Sequence, residues 1–359
     1  MEHIYRPVIF SLGDPKDKDR LHALLTKKLN ITVFDSIESQ IKDLIKVLHP
    51  AQNPDDRELA DYMVQHLNGK SVADYGVWVY YPWSNRLVHT LDEEEFVRVR
   101  TNRNREKITQ EEQDVLAAKV VGIVGLSVGQ SIALTMAMER ACGTLRLADY
   151  DHVDLSNLNR IRTGIHNLDI PKTVIAAREI AEIDPFLRVE LFHTGLTTDN
   201  MDDFFAGSGK LDVLVEVCDG LEVKLKSRVE ARRQRIPVVM ETNDRGMVDI
   251  ERFDTEPNRP ILHGLIAEES IDNVAALTGQ ERLSLISQLV DAEQLSPRMK
   301  QSFAEVGKSL RSWPQLASSV VLGGGITTEI VRRILLGEKL DSGRRYFDVD
   351  MILPQVIKF

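Results

Sequence analysis

The chain has 359 residues, 43% of them hydrophobic and 28% charged, with a formal net charge of −10. That length exceeds one ordinary domain and suits two, and the composition supports a sizeable core beneath a soluble surface. The acidic balance argues against bulk electrostatic affinity for nucleic acid or anionic membranes, while leaving room for a local basic pocket.

Taken in chain order, residues 8–12 read as a strand, and residues 16–29 and 37–48 carry helical periodicity. Residues 76–81 and 86–91 read as two strands joined by the turn Pro82-Trp83-Ser84-Asn85. Together these predict a small N-terminal α/β domain over residues 1–95. The charged stretch 93–112 is expected to form helical connections, with Thr109-Gln110-Glu111-Glu112 as the capping-box start of a helix to residue 118.

Residues 120–125 then read as a buried parallel strand, 130–142 as a helix and 144–148 as a second strand. A helix at 172–183, strands at 189–192 and 211–217, a helix at 221–234 and a strand at 237–241 continue the alternation. Strand alternating with helix predicts a Rossmann-like α/β fold: a mostly parallel sheet with right-handed crossovers and helices on both faces, within a second domain at residues 96–359. A helical insertion is expected at about residues 264–316, with helices at 283–295 and 298–310 ended by Trp313-Pro314. Residues 322–326 are expected to lead into a helix at 327–336, and 345–349 to form a closing strand.

The N-terminus, Met-Glu-His-Ile-Tyr-Arg, lacks the apolar core of a signal peptide, and no apolar run reaches membrane-spanning length. A soluble cytoplasmic protein is therefore expected. The two cysteines, Cys142 and Cys218, read as buried reduced thiols rather than as a disulfide or a nucleophile. With no C-x-x-C pair and no His-Glu-x-x-His motif, no zinc site is expected.

Chemistry-bearing residues gather between residues 100 and 219. The strand at 120–125 opens onto Gly125-Leu126-Ser127-Val128-Gly129, where glycine lets the backbone approach a phosphate and the following helix offers unpaired N–H groups. Asp149 ends the second strand, where a carboxylate can accept hydrogen bonds from ribose hydroxyls, as it would in an NAD-binding domain, or can cap a helix or turn. Asn157, Arg160 and Lys172 follow. Planar arginine can span phosphate oxygens while lysine supplies a mobile point charge; taken singly, both read as solvated surface cations. Asp219 follows the strand at 211–217, at the end where open α/β sheets bind ligands, and is also well placed to cap the helix near residue 221. Arg103 lies in Arg100-Thr101-Asn102-Arg103-Asn104, which by itself is a charged linker.

This order of pieces resembles the ThiF/MoeB-type adenylyltransferases, bacterial relatives of ubiquitin-activating enzymes that transfer AMP from ATP to a carboxylate. The likeness covers roughly residues 100–253, with a weaker echo at 318–348. The resemblance implies an ATP- and Mg2+-dependent adenylyltransferase that activates a carboxylate as an acyl-adenylate with release of pyrophosphate, the C-terminus of a ubiquitin-like or sulfur-carrier protein or peptide being one such substrate. It implies ATP binding by Gly125, Ser127, Gly129, Asp149, Asn157, Arg160 and Lys172, magnesium on Asp219, and catalytic roles for Arg160, Lys172, Asp219 and Arg103. It further implies a homodimer, because the stretch matching Arg103 reaches the ATP of the other subunit.

The chain also departs from the family pattern. Ser127 and Val128 replace turn glycines, Gln130 stands where a further glycine is common, and Gly220 stands where asparagine is common. With no cysteine after Asp219, a thioester or persulfide step is not expected of this chain. Ending at Phe359, it is also expected to lack the nitroreductase-like flavin domain that some relatives carry. Two other readings stay open: an NAD(P)-dependent oxidoreductase, which the glycine turn and Asp149 would allow, and a non-catalytic nucleotide-binding scaffold. For the acceptor, a protein or peptide carboxylate is expected over one on RNA, given the net acidic charge.

Overall fold

A computed structural model describes residues 4–266, 274 and 277–353. The chain divides into two compact units, Met1–Gln110 with Ala181–Phe186, and Glu111–Ile180 with Leu187–Phe359.

The first unit runs β1 (Val8–Ser11), α1 (Pro15–Lys27), β2 (Thr32–Asp35), α2 (Ile37–Leu48), α3 (Asp56–Leu67), β3 (Val77–Tyr81), β4 (Arg86–Thr90) and α4 (Glu93–Arg100). Its sheet has the order β1-β3-β4-β2, with β2 parallel to β4 and the other pairs antiparallel. Helix α2 forms where the periodicity places it, because Ile37, Ile41, Leu44 and Ile45 recur on one face and are buried. Two elements were not anticipated. Strand β2 is exposed along its whole length and so shows no buried alternation. Helix α3 begins at a capping box in which Asp55 accepts from Glu58 N at 2.9 Å and Glu58 accepts from Asp55 N at 2.9 Å. Phe96 and Val99 of α4 pack on the α2–α3 core, which carries this unit past residue 95.

In the second unit α5 (Gln110–Ala117) leads into β5 (Val120–Val124), α6 (Leu126–Glu139) and β6 (Thr144–Ala148). Then come α7 (Lys172–Ile183), β7 (Arg188–Phe192), α8 (Met201–Ala206), β8 (Val213–Glu216), α9 (Leu221–Arg233), β9 (Val238–Thr242) and β10 (Met247–Glu251). Helices Gly279–Leu289, Pro297–Glu305 and Ala317–Leu335 precede β11 (Gly343–Tyr346). The sheet order is β11-β10-β9-β8-β5-β6-β7. The five strands from β9 to β7 are parallel, and β10 and β11 are antiparallel additions. This is the expected α/β architecture with a mostly parallel sheet. Among the described residues no helix is long and apolar enough to cross a membrane. The stretches 267–273 and 275–276 of the expected insertion lie outside the described residues.

Three local differences from expectation have physical causes. Helix α6 starts at Leu126, directly after Gly125, rather than near residue 130. The glycine run expected to precede a helix at 327 instead lies inside the helix Ala317–Leu335, where it serves packing: a Cβ on Gly324 would come within 2.5 Å of Ser131 Oγ on α6. Strand β10 was missed because its buried positions include the acids Asp249 and Glu251, which read as a solvent-facing pattern.

Those acids belong to a buried ionic network. Arg228 donates from Nη1 to Glu216 Oε2 and from Nε to Glu251 Oε2, both at 2.6 Å, and all three side chains are fully buried. Lys224 Nζ reaches Glu216 Oε2 at 2.8 Å, and Leu262 N donates to Glu251 Oε1 at 2.6 Å. Burial alone would raise the Glu216 pKa, but Lys224 and Arg228 outweigh it and bring it down to about 2. Glu241 on β9 is the opposite case. Neither of its carboxyl oxygens has a hydrogen-bond partner, and burial pushes its pKa up to about 8.

Replacing Arg228 with Met should cost about 3–5 kcal/mol in urea unfolding, since Glu216 and Glu251 lose their shared countercharge; a loss below about 1 kcal/mol would contradict the network's role. For Glu241 the folded pKa lies above the unfolded value, so the native state holds a proton that the unfolded chain releases, and stability falls as pH rises from about 4.5 to 8. Between pH 5 and pH 8 the wild type should lose roughly 3 kcal/mol relative to Glu241→Gln. Parallel pH profiles for the two proteins would mean that the buried group is already ionised.

Candidate active site

From β5 the chain first builds outward through β6 to β7, then returns to lay β8 and β9 on the other side. The crevice at the C-terminal ends of β5 and β8 is therefore a topological switch point, the usual place for a ligand in an open α/β sheet. Gly125 makes it possible. Its φ is +92°, and a Cβ there would sit 2.7 Å from Cys218 Cα and 2.8 Å from the Val217 carbonyl carbon. No other residue lets the two strand ends come so close.

The glycine turn is narrower than expected. Only Gly125 forms it, and Ser127 and Val128 already lie in the first turn of α6, where a Cβ is ordinary. Their replacement of glycine therefore does not crowd the backbone path. Gly129 serves packing, since a Cβ on it would meet Ile123 Cγ2 at 2.7 Å. Gln130 has a positive role that its identity alone did not reveal. Buried in α6, it accepts from Arg162 N at 2.8 Å and donates to Arg162 O at 3.1 Å, pinning the loop that carries Arg160.

Asp149 leaves the end of β6 and closes the same corner. Its Oδ2 accepts from Leu126 N at 2.6 Å, the first N–H of α6, and its Oδ1 accepts from Asp151 N at 2.8 Å. Burial raises its pKa, against the pull of Lys172 and these two backbone donors. Each carboxylate oxygen retains a further lone pair.

Two cations converge on one hydroxyl. Lys172, 6% exposed at the start of α7, places Nζ 3.3 Å from Ser127 Oγ and 2.7 Å from Asp151 Oδ2. The short pairing of residues 151–153 with 169–172 holds it there, including Lys172 N to Asp151 O at 2.9 Å. Arg160 Nη2 lies 3.5 Å from the same Ser127 Oγ, and Nη1 donates to Asn159 Oδ1 at 2.9 Å. Arg160 Nε is buried without a partner. Burial lowers the Arg160 pKa and the charge of Asp219 raises it, which sets these two residues in one electrostatic environment. Asn157 is buried and shapes the turn: its Oδ1 accepts from Asp154 N at 3.1 Å. Asp151, absent from the sequence candidates, is thus the direct ion-pair partner of Lys172; its only signal was its place two residues after Asp149.

Asp219 is exposed at the mouth of the crevice. It is not the helix cap that its position allowed, because Gly220 occupies the N-cap of α9 and no side chain caps that end. A magnesium ion takes one or two carboxylates and completes its shell with phosphate oxygens and water. A single exposed carboxylate beside an anion site fits that requirement, and among the described residues no three His, Cys, Asp or Glu side chains cluster as a metal cage.

Gly125, Ser127, Gly129, Asp149, Asn157, Arg160, Lys172 and Asp219 all belong to the second unit. Arg103 belongs to the first, on the exposed turn Asn102–Asn104. Both cysteines are free thiols. Burial pushes Cys142 up to about 12 and Cys218 higher still, so neither is poised as a thiolate.

The sequence is similar to several known proteins. The chain is 46% identical over 279 residues to the uncharacterized protein MT1398 of Mycobacterium tuberculosis (strain CDC 1551 / Oshkosh), a match covering 78% of this chain and 39% of that one. This chain thus spans about two fifths of that relative's length. It is 22% identical to the tRNA threonylcarbamoyladenosine dehydratase of Bacillus subtilis (strain 168) over 65% of this chain and 95% of that one. It is 30% identical to the ubiquitin-like modifier-activating enzyme 5 of Drosophila persimilis over 39% of this chain and 36% of that one. Residues 101–307, more than half of the sequence, match the ThiF family, and the chain belongs to that family.

Proposed function

We propose that this chain is an ATP-dependent adenylyltransferase that activates a carboxylate. The observation that carries the reading is the convergence of Arg160 and Lys172 on Ser127 at the start of α6, with Asp219 near enough to Arg160 to act on its charge. A helix N-terminus and two cations form an anion site suited to a triphosphate. A dinucleotide oxidoreductase would use Gly125 and Asp149 but has no need for two cations on one hydroxyl. A pure scaffold leaves their fixed placement unexplained.

In this reading a carboxylate oxygen of the substrate attacks the α-phosphorus of ATP, the bond to the bridging oxygen of the β-phosphate breaks, and pyrophosphate leaves with that electron pair. The planar guanidinium of Arg160 spans oxygens on the phosphates, and Lys172 offsets the charge that grows as pyrophosphate departs. Asp151 holds Lys172 in place at 2.7 Å, and Ser127 offers a hydroxyl within reach of the same phosphates. Asp149 orders the corner and presents its remaining lone pairs to the ribose hydroxyls, with Asn157 shaping the turn beside it. Asp219 would hold the magnesium ion, which when bound neutralises phosphate charge. Because neither thiol is poised as a nucleophile, the acyl-adenylate passes to an acceptor supplied by another molecule. The class of substrate is a carboxylate on a protein or peptide, such as a ubiquitin-like or sulfur-carrier C-terminus, and the net charge of −10 favours these over RNA. In a homodimer Arg103 would complete the site of the second copy.

Exchange of labelled pyrophosphate into ATP, screened with free carboxylic acids and C-terminal peptides, tests the reading. Arg160→Ala and Lys172→Ala should each lower the rate by about 10²–10³-fold. Formation of ADP instead of AMP, or unchanged exchange in the double variant, would refute it. Mixing Arg103→Ala with Asp219→Ala subunits should restore partial activity if the arginine acts across a dimer, and should restore none if it acts within its own chain.

A further inference from the structure

Beside the crevice the second unit contains a cavity of about 190 Å3 whose wall includes Val128 and Asp219, so it opens directly onto the candidate phosphate and metal positions. Its far side is apolar, formed by Leu289, Val290, Leu295, Met299, Phe303 and Trp313. Asp244 ties this roof down by accepting from Ser296 N at 2.8 Å and Ser296 Oγ at 2.7 Å, at the cap of the helix Pro297–Glu305. The lip is tied to the cation turn through Asn159 Nδ2, which donates to Gln315 O at 2.7 Å.

Polar groups in the lining share one character. Both carboxyl oxygens of Glu241, Asn243 Oδ1 and Gln315 Oε1 are buried without a hydrogen-bond partner; the two amide oxygens are acceptors, and the Glu241 carboxyl, which holds a proton at neutral pH, offers one acceptor oxygen beside its O–H. Among the described lining residues the one cation, Lys224, is committed to Glu216 at 2.8 Å. The fold keeps room for the Glu241 carboxyl by placing glycine opposite it, since a Cβ on Gly323 would come within 2.4 Å of Glu241 Oε1. Buried acceptors of this kind are costly unless something brings donors to them.

We infer that this cavity is the acyl-substrate pocket and that it takes a carboxylate borne on a residue with a bulky apolar side chain and an adjacent N–H donor, an apolar α-amino acid or a peptide ending in one. This inference rests on the adenylation reading for the fate of the carboxylate. An apolar cavity of about 150 Å3 accommodates benzene, so the space here suits one leucine-, methionine- or phenylalanine-sized side chain and is left unfilled by glycine. With the side chain against Met299 and Phe303, the N–H group faces Glu241, Asn243 and Gln315, and the carboxylate points out toward Val128 and Asp219, where the α-phosphate would lie. A free amino group and a peptide amide offer the same donor chemistry and differ in charge.

Calorimetry with the full chain and magnesium, in the presence of a non-hydrolysable ATP analogue, distinguishes them. The probes are L-leucine, L-phenylalanine and the tripeptides Gly-Gly-Leu and Gly-Gly-Phe, with glycine and Gly-Gly-Gly as controls. At least one apolar probe should bind, at least tenfold more tightly than Gly-Gly-Gly among the peptides or than glycine among the free acids. Binding should weaken at least tenfold in Glu241→Met, which removes the carboxyl acceptor, and vanish in Met299→Trp, which fills the cavity, while the ATP analogue still binds both variants. Free acids binding alone identify an ammonium ligand, and peptides binding identify a C-terminal residue. No binding by any apolar probe, equal binding of the glycine controls, or full binding by Glu241→Met would overturn the inference. Loss of nucleotide binding by the wild type would instead sink the adenylation reading, with the pocket judged separately on its own probes.

Discussion

Everything at the site depends on one close approach of backbone to backbone, Gly125 against Val217 and Cys218. It brings the C-terminal ends of β5 and β8 together at the point where the sheet reverses its building direction. From that contact follow the start of α6 at Leu126, the placement of Ser127 in its first turn, and the exposure of Asp219 across the crevice. A side chain at residue 125 would push the strand ends apart and separate the helix terminus from the carboxylate. The φ of +92° adds a backbone conformation that side-chain-bearing residues rarely adopt.

Around that contact, charges are fixed before any ligand arrives. The Glu216–Arg228–Glu251 network braces the end of β8 from below, and Glu216 also accepts from Cys218 N at 2.9 Å. Asp149 caps the first N–H of α6, Gln130 grips the loop at Arg162, and Asp151 holds Lys172. Each of these is an intramolecular hydrogen bond or ion pair that fixes a residue that would touch the nucleotide, or the backbone beside one. Such preorganisation is what electrostatic catalysis requires, because the groups need not reorient as charge develops.

The parallel core of the fold was legible because its strands are short apolar runs alternating with helices of clear period, and α2 and α7 form over the residues that their periodicity marked. Legibility failed where polar residues were buried or apolar ones exposed. Strand β10 hides Asp249 and Glu251 in the interior, paired with His263, Arg344 and Arg228, and β2 shows Val33 and Phe34 to solvent. The glycines at 323 and 324 were expected to precede a helix and are instead packing positions inside one. At the site, the order of motifs brought together residues from Gly125 to Asp219. It could not show that Gln130 anchors a loop, that Gly220 rather than Asp219 caps α9, or that Glu241, remote in sequence, lies against the same crevice. Those are facts of three-dimensional proximity, which no local pattern encodes.

The most direct test of the nucleotide assignment is calorimetric binding of Mg·ATP and of NAD(H) to the wild type and to Asp219→Ala. The account requires magnesium-dependent ATP binding that weakens in Asp219→Ala, and no binding of NAD(H). NAD(H) binding that is indifferent to that substitution would contradict it and make the switch point an ordinary dinucleotide site.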